Sequence, residues 1–563
     1  MEKRTILAFV LSFIILIGWS YFFAPKKDHA PEKQRNEDVL KKKAPVEKAK
    51  VPKSEEKIHP ELSKPLTPQA PEKVASGVSL KIVEKEIEID TPLYRAVFSN
   101  VGPSIRSFKL KKYRETTDPR SPLIELVTLE KKIGNFLHIG FENPLSTQGE
   151  NTVYKVNDQA IRLGPQSSPK NLEFSSIAKN GLAINYTYRF YPDQYTIDIK
   201  IDVINQSIQK VKGAFTADIK AFPPEGKKSY YSYVGLVALL DNKLKEVKIK
   251  KESEEKILTG QIEWMGYEND YFISTVIPEK ASKGIFKGRI SSSGLLKGTY
   301  MHPSISIDPS QQQSMRYSLY LGPRDLYILK QHGKNLARAV NFGWTDIVAR
   351  PLLYTLRFFN QYIHNYGVSI ILITIVIKII FWPLTHKSYK SMGEMKKLQP
   401  MMAKIKEKYK NDKQQMNKEM MGLYKTYKVN PMSGCLPMII QIPVFFALFR
   451  VLGSAIELRH EPFILWINDL SAPDRLFSFP FHVPFMAPPF GIPVLTLLMG
   501  ASMFLQQKMT PTPGDPTQAK LMMFLPLIFT FMFINFPSGL VLYWLVNNIL
   551  SIGQQYRVQK KIA

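Results

Sequence analysis

Apolar runs near 366–386, 434–456, 490–507, 519–536 and 538–555 dominate the second half of this chain, and basic or turn-rich segments separate them. About 20 apolar residues let a helix cross roughly 30 Å of hydrocarbon. Inside lipid only a helix or a closed barrel satisfies its own backbone, so these runs are expected to be spanning helices. Pro437, Pro443, Pro493 and Pro526 interrupt several of them, and "NFPSG" separates the last two as a tight hairpin. A further run, "TILAFVLSFIILIGWSYFF", follows Met1-Glu2-Lys3-Arg4 and ends in aromatic residues instead of a small-residue cleavage site. Residues 1–24 are therefore expected to be an uncleaved anchor, making six spans.

The rest of the chain reads as soluble. Hydrophobic residues make up 44%, yet the mean hydropathy is −0.14, so the apolar residues are unevenly distributed. Residues 25–77 are Lys, Glu and Pro with almost no aromatic side chains; such a segment cannot bury a core and is expected to be a disordered tether. From 78 to 325, stretches such as "SLKIVEKEIEID" and "YTYRFYPDQYTIDIKIDVIN" place apolar residues at every second position between turn residues. That pattern predicts an antiparallel β-sandwich domain. Residues 326–365 have helical period with arginines and aromatics mixed, and their second part is expected to lie in the membrane interface. The fold class is thus a multi-domain membrane protein, a helical core joined to an all-β domain.

Charge orients these parts. The formal net charge is +28, which suggests an anionic partner such as lipid headgroups or RNA, or else only solvated basic loops that obey the positive-inside rule; specific nucleic-acid binding is not expected. The loop 387–433 carries Lys387, Lys390, Lys396, Lys397 and eight further lysines and is expected in the cytoplasm. The loop 457–489, with Glu457, Glu461, Asp469 and Asp474, falls outside, the loop 508–518 inside, and the basic tail 556–563 inside. Span parity exports the β domain and keeps both termini cytoplasmic. The lysines at 26, 27, 33 and 41–43 oppose this, but long segments translocate largely regardless of charge. The single cysteine, Cys435, excludes an intramolecular disulfide framework.

Two features carry chemistry. Within 387–433, Met392, Met395, Leu398 and Met402 recur at helical spacing, and Met416 and Met420 continue the pattern after a polar turn, predicting a helical hairpin. Its apolar stripe is either the packing seam of the pair or an adaptable methionine surface for apolar peptides, and both roles are compatible. In "SIILITIVIKIIFWPLTHKSYK" (369–390), Lys378 lies inside an apolar run, where insertion scales put its cost at roughly 2.5–3.5 kcal/mol. Either its stem lifts the charge to the interface near Trp382, or it faces a wet cavity together with Thr374 one turn away. Gln441, Ser502, Gln506, Asn547 and Asn548 supply further polarity in the other runs.

"SIILITIVIKIIFWPLT", the Met-rich hairpin, "YKVNPMSGCLPMIIQIPVFFALFRVL", "ELRHEPFILWINDLSAPD" and "FPSGLVLYWLVNN" together resemble the YidC/Oxa/Alb family of membrane protein insertases, in its Gram-negative form with a large periplasmic domain. The resemblance covers roughly 345–555 in order, and the first half matches in plan. It implies a five-helix core around a hydrophilic groove, a periplasmic β-supersandwich, no cofactor and no catalytic residue. It also implies nascent membrane proteins as substrates, with the Sec translocon, the ribosome and the signal recognition particle receptor as partners. By motif position it assigns Lys378, Thr374, Gln441, Met532, Tyr543 and Trp544 to the groove. Lys378 departs from the arginine usual there, keeping the charge but losing the bidentate fork. Walker, His-Glu-x-x-His and Gly-x-Ser-x-Gly motifs are absent from the sequence. A secondary transporter would show internal repeats, which are not visible, and a glycan enzyme would need a singled-out acid and base pair, whereas Glu86, Glu88 and Asp90 alternate along one strand. A folding chaperone beside the translocon stays open as a second mode of the same core.

Overall fold

The computed structural model describes residues 84–562 apart from 128–134, 144–150, 179, 224–232, 250, 253, 428, 430–435 and 511–515. The anchor expected over 1–24, the tether over 25–77 and Cys435 lie outside the described residues.

The alternating stretches are strands. Leu182–Phe190 and Thr196–Asn205 form an antiparallel hairpin, and Gln312–Pro323 pairs along the other side of the second strand. In Thr196–Asn205 the residues Ile197, Ile199, Ile201 and Val203 are buried, while Asp198, Lys200 and Asp202 point outward. A period of two fixes the face as well as the register. These strands belong to a 14-stranded sheet, and Glu86–Asp90, Tyr94–Ser99 and Ser104–Arg114 belong to a five-stranded one. The sheets meet face to face: Phe98 of the smaller sheet lies 5.3 Å from Tyr188 and 5.4 Å from Phe190 of the larger, edge on. Buried tyrosines still find acceptors, Tyr188 donating to the Pro103 carbonyl at 2.8 Å and Tyr186 to that of Ile139 at 2.9 Å. The result is an all-β supersandwich.

Eight helices of the described chain follow: α1 (Leu326–His332), α2 (Asp346–Ile363), α3 (Tyr366–Lys408), α4 (Lys413–Thr426), α5 (Leu436–Ser454), α6 (Val494–Met509), α7 (Pro516–Phe533) and α8 (Ser538–Ile562). Buried Arg324 ties the last strand to what comes next, donating to the carbonyls of Asn269 and, at 2.9 Å, Ala339. Asp325 caps α1 and also pairs with Arg357 of α2 at 3.1 Å; Arg357 reaches Glu457, just past α5, at 3.3 Å. One face of α2 buries Ala349, Leu353 and Leu356, while Ile347, Tyr354, Phe358 and Tyr362 stay exposed on the other.

Two expectations are modified. The backbone has no break near 386: α3 runs from the apolar stretch straight into the basic hairpin, with Pro383 and Pro400 inside it. And among the described helices only α3 has both the length and the apolar character of a crossing segment, whereas the apolar stretches Gln441–Ser454 and Met522–Phe533 are shorter. Chain chemistry explains the shortness. Pro493 stops α6 at its start, polar Gln506, Gln507 and Lys508 fill its last turn, and α7 opens on the polar "PTQAK".

Candidate functional site

Helix α8 opens with the apolar "GLVLYWLV" and then turns polar at Asn547, Asn548, Ser551, Gln554 and Gln555, a spacing of three and four that puts them along one side. All five are buried. Buried polar groups need partners, and two neighbouring helices provide them for Asn548, Ser551, Gln554 and the amide nitrogen of Gln555. Toward α6, Asn548 Nδ2 donates to Ser502 Oγ at 3.0 Å and Gln555 Nε2 to the Met509 carbonyl at the helix end, also 3.0 Å. Toward α3, Gln554 Nε2 donates to Thr385 Oγ1 at 2.9 Å, and Lys378 Nζ donates to Ser551 Oγ at 2.6 Å. The Ser551 hydroxyl in turn donates to the Asn547 carbonyl one turn back at 2.7 Å.

The Lys378 ammonium therefore turns toward α8 and is not lifted past Trp382. Thr374, fully buried one turn earlier, uses its hydroxyl on the Ile370 carbonyl of its own helix at 2.6 Å. Gln441 of α5 donates to the Tyr543 hydroxyl of α8 at 3.3 Å, a second polar pair nearer the start of α8. Trp544 sits in an aromatic cluster, 4.7 Å from both Phe445 and Phe533, joining α5, α7 and α8. Met532 lies half-exposed on the outer side of α7.

The hairpin residues divide likewise. Leu398 and Met402 are buried with Val429, and Met395 and Met420 pack against them, while the Tyr424 hydroxyl reaches Met402 Sδ at 3.9 Å. Met392 packs instead with Tyr389 and Val558 of α8, and Met416 is half-exposed. Met401 and Met421, which lie off the predicted apolar stripe, are exposed methionines among the described residues of this hairpin.

The polar face of α8 is larger than the asparagine pair suggests. Ser551, Gln554 and Gln555 escape notice because they lie at the margin of the last apolar run, where polarity reads as the start of a tail. Their three-and-four spacing from Asn547 is the signal that marks them. Among the described residues no three His, Cys, Asp or Glu side chains gather as metal ligands would.

Residues 86–355 match the YidC periplasmic domain family and residues 358–563 the 60Kd inner membrane protein family. Curated relatives described as membrane protein insertase YidC include those of Syntrophus aciditrophicus, 43% identical with 100% of both chains covered, and Syntrophobacter fumaroxidans, 40% identical over the same shares. A solved structure described as an active YidC insertase with its first transmembrane domain resolved aligns with a TM-score of 0.35 at 17% identity, covering 84% of this chain and 92% of that one. Full-length identity of this order, together with two family matches that tile the β domain and the helices, shows that the chain belongs to the YidC family of inner-membrane protein insertases.

Proposed function

We propose that Lys378 and the polar face of α8 form the groove through which this insertase passes nascent membrane segments from the cytoplasm into lipid. The observation that carries this reading is a charge held inside an apolar helix by a hydrogen bond to a buried, otherwise polar helix face. A substrate with a short acidic external tail presents carboxylates that the ammonium attracts, which shortens the dehydrated path the tail crosses. Its apolar side meets α5 and α7, which cross the membrane with α3, α6 and α8, and burial of about 20 apolar residues drives release. The step is a partition between water and lipid and uses no nucleotide or other energy source. The same core acts as a folding chaperone beside the Sec translocon.

The cytoplasmic hairpin receives the substrate first. Leu398, Met402, Met395 and Met420 hold its two helices together, and exposed Met401 and Met421 offer an adaptable apolar surface. Its lysines attract anionic lipid headgroups and place it inside, with both termini; the ribosome and the signal recognition particle receptor dock on the same side.

The test is insertion of a single-span protein with an acidic tail into liposomes holding the purified chain, read by protease protection of the tail. Lys378→Arg is expected to keep activity, and Lys378→Ala and Lys378→Glu to lose it by about tenfold or more, the loss of a charge-assisted contact. Equal insertion by all four forms, with none into empty liposomes, would remove the groove charge from the mechanism.

A further inference from the structure

From Leu476 to Gln507 the sequence contains no Asp, Glu, Lys or Arg. Its first part, between α5 and α6, is a two-stranded hairpin of Leu476–Phe479 and Phe490–Ile492. Soluble loops hide their aromatic rings, but here Phe477 is 70% exposed, Phe481 61% and Phe485 82%. Phe477 and Phe485 hold left-handed backbone, φ 55° and 63°, a conformation that bulky side chains adopt only when their surroundings impose it.

Those surroundings are specific. Arg475 Nε donates to the Pro489 carbonyl at 2.9 Å and its Nη1 to that of Ile534, at the end of α7, at 2.8 Å. Asn535 donates to the Phe485 carbonyl at 2.8 Å and accepts from the Ala487 amide at 2.7 Å. Asp474 accepts from the Leu495 amide and so caps α6. The hairpin is thus fixed over the start of α6 and the end of α7. Its apolar surface continues onto α7, where the Phe485 ring lies 6.3 Å from that of exposed Phe531 and exposed Ile528 and Leu527 follow.

Helix length supplies the reason for such a surface. The 16 residues of α6 rise about 24 Å at 1.5 Å each, short of the roughly 30 Å of hydrocarbon. We propose that the 476–492 hairpin is a membrane wedge whose occupant is the lipid of the periplasmic leaflet: Phe477, Phe481 and Phe485 enter the acyl-chain region and extend the apolar column of α6 and α7 by the missing length. The inference rests on α6 and α7 crossing the bilayer, but not on the groove.

The experiment uses the full chain carrying Cys435→Ser, one copy per nanodisc of phosphatidylethanolamine and phosphatidylglycerol, with a fluorescent label on a single new cysteine. Phe485→Cys and Phe481→Cys probe the hairpin, Leu527→Cys probes mid-α7, and Ser293→Cys on an exposed turn of the β domain reports water. Lipid spin-labelled near the glycerol end of its acyl chain is expected to reduce emission at 485 and 481 by about half, and iodide to quench both far less than at 293. Iodide quenching at 485 and 481 equal to that at 293, with 527 quenched by lipid, would overturn the wedge alone. Protection of 485 and 481 from both quenchers would mean that protein covers them, and would overturn it too. Iodide quenching at 527 would overturn both the wedge and the crossing of α7.

Discussion

Lys378 shows how a single partner changes the meaning of a charge. An ammonium has three donors, and among the described residues Ser551 Oγ is its side-chain acceptor, at 2.6 Å. A hydrogen bond to a charged group contributes about 1.5–3 kcal/mol. Ser551→Ala is therefore expected to leave the charge in the proposed groove but unmoored, lowering insertion by a few-fold and less than Lys378→Ala does. The same protease-protection assay decides it; a loss as deep as that of Lys378→Ala would mean that the serine itself, and not the charge, is the working group. In the β domain, Glu268 raises a different question. Burial pushes its carboxyl up to about 7 against the attraction of Arg324, 3.8 Å away. A carboxyl raised in the folded state binds more protons there than in the unfolded chain, so its contribution is present at low pH and lost as pH rises from about 4.5 to about 7. Glu268→Gln is expected to flatten the thermal midpoint across that window by an amount on the order of 3 kcal/mol in stability. An unchanged pH profile of melting would sink this assignment.

At the scale of elements, the hairpin over 387–433, proposed above to receive substrate, sets a packed seam apart from an exposed surface. Leu398 is buried in its seam and Met401 is exposed three residues on. Leu398→Ala is expected to cost about 2–4 kcal/mol, read as faster proteolysis within 387–433. Met401→Ala is expected to leave proteolysis unchanged while weakening crosslinking to a nascent apolar segment. The reverse pattern would make the stripe the substrate surface. Helices α6 and α7 illustrate another local rule. A Cβ on Gly500 would run into Thr530, so close helix approach depends on the bare backbone there. Gly500→Leu is expected to separate the two helices and lower the melting temperature of the full chain in detergent, whereas Leu497→Ala, on an exposed position of α6, is not.

At the scale of the whole molecule, Arg357 and Arg459 are among the described residues that join the β domain to the helices. Arg357 sits between Asp325, which caps α1, and Glu457, which is almost wholly buried. Burial, with Asp325 close by, pushes the Glu457 carboxyl up to about 7. Arg459 adds a second tie, donating to the Arg114 carbonyl at 2.6 Å and lying 5.7 Å from the centre of the Phe272 ring. Removing one partner of such a buried pair costs about 3 kcal/mol, less where the cation is partly exposed as Arg357 is. Arg357→Ala is therefore expected to uncouple the two parts, splitting one calorimetric transition of the full chain into two. A single transition at an unchanged temperature would show that the pair adds nothing to the junction.

The division between what was legible and what was not follows from the range of the interactions. Period-two alternation in "TIDIKIDVIN" and period-three-and-four spacing in the methionine hairpin are set by nearest neighbours along the backbone, so strand and helix could be read from the residues, and in the strand the buried face as well. The family motifs likewise lie in contiguous words. What the sequence could not supply was pairing across distance. Whether Lys378 lifts its charge to the surface or turns inward depends on Ser551, 173 residues away. Trp544 and Met532 look alike as apolar positions of neighbouring helices, yet one is enclosed by Phe445 and Phe533 and the other is not. The residues alone determined a basic, multi-helix membrane protein with an exported β domain. The tertiary structure decided which side of each helix is polar inside the bundle, because a hydrogen-bonded seam exists only once α3, α6 and α8 are packed together.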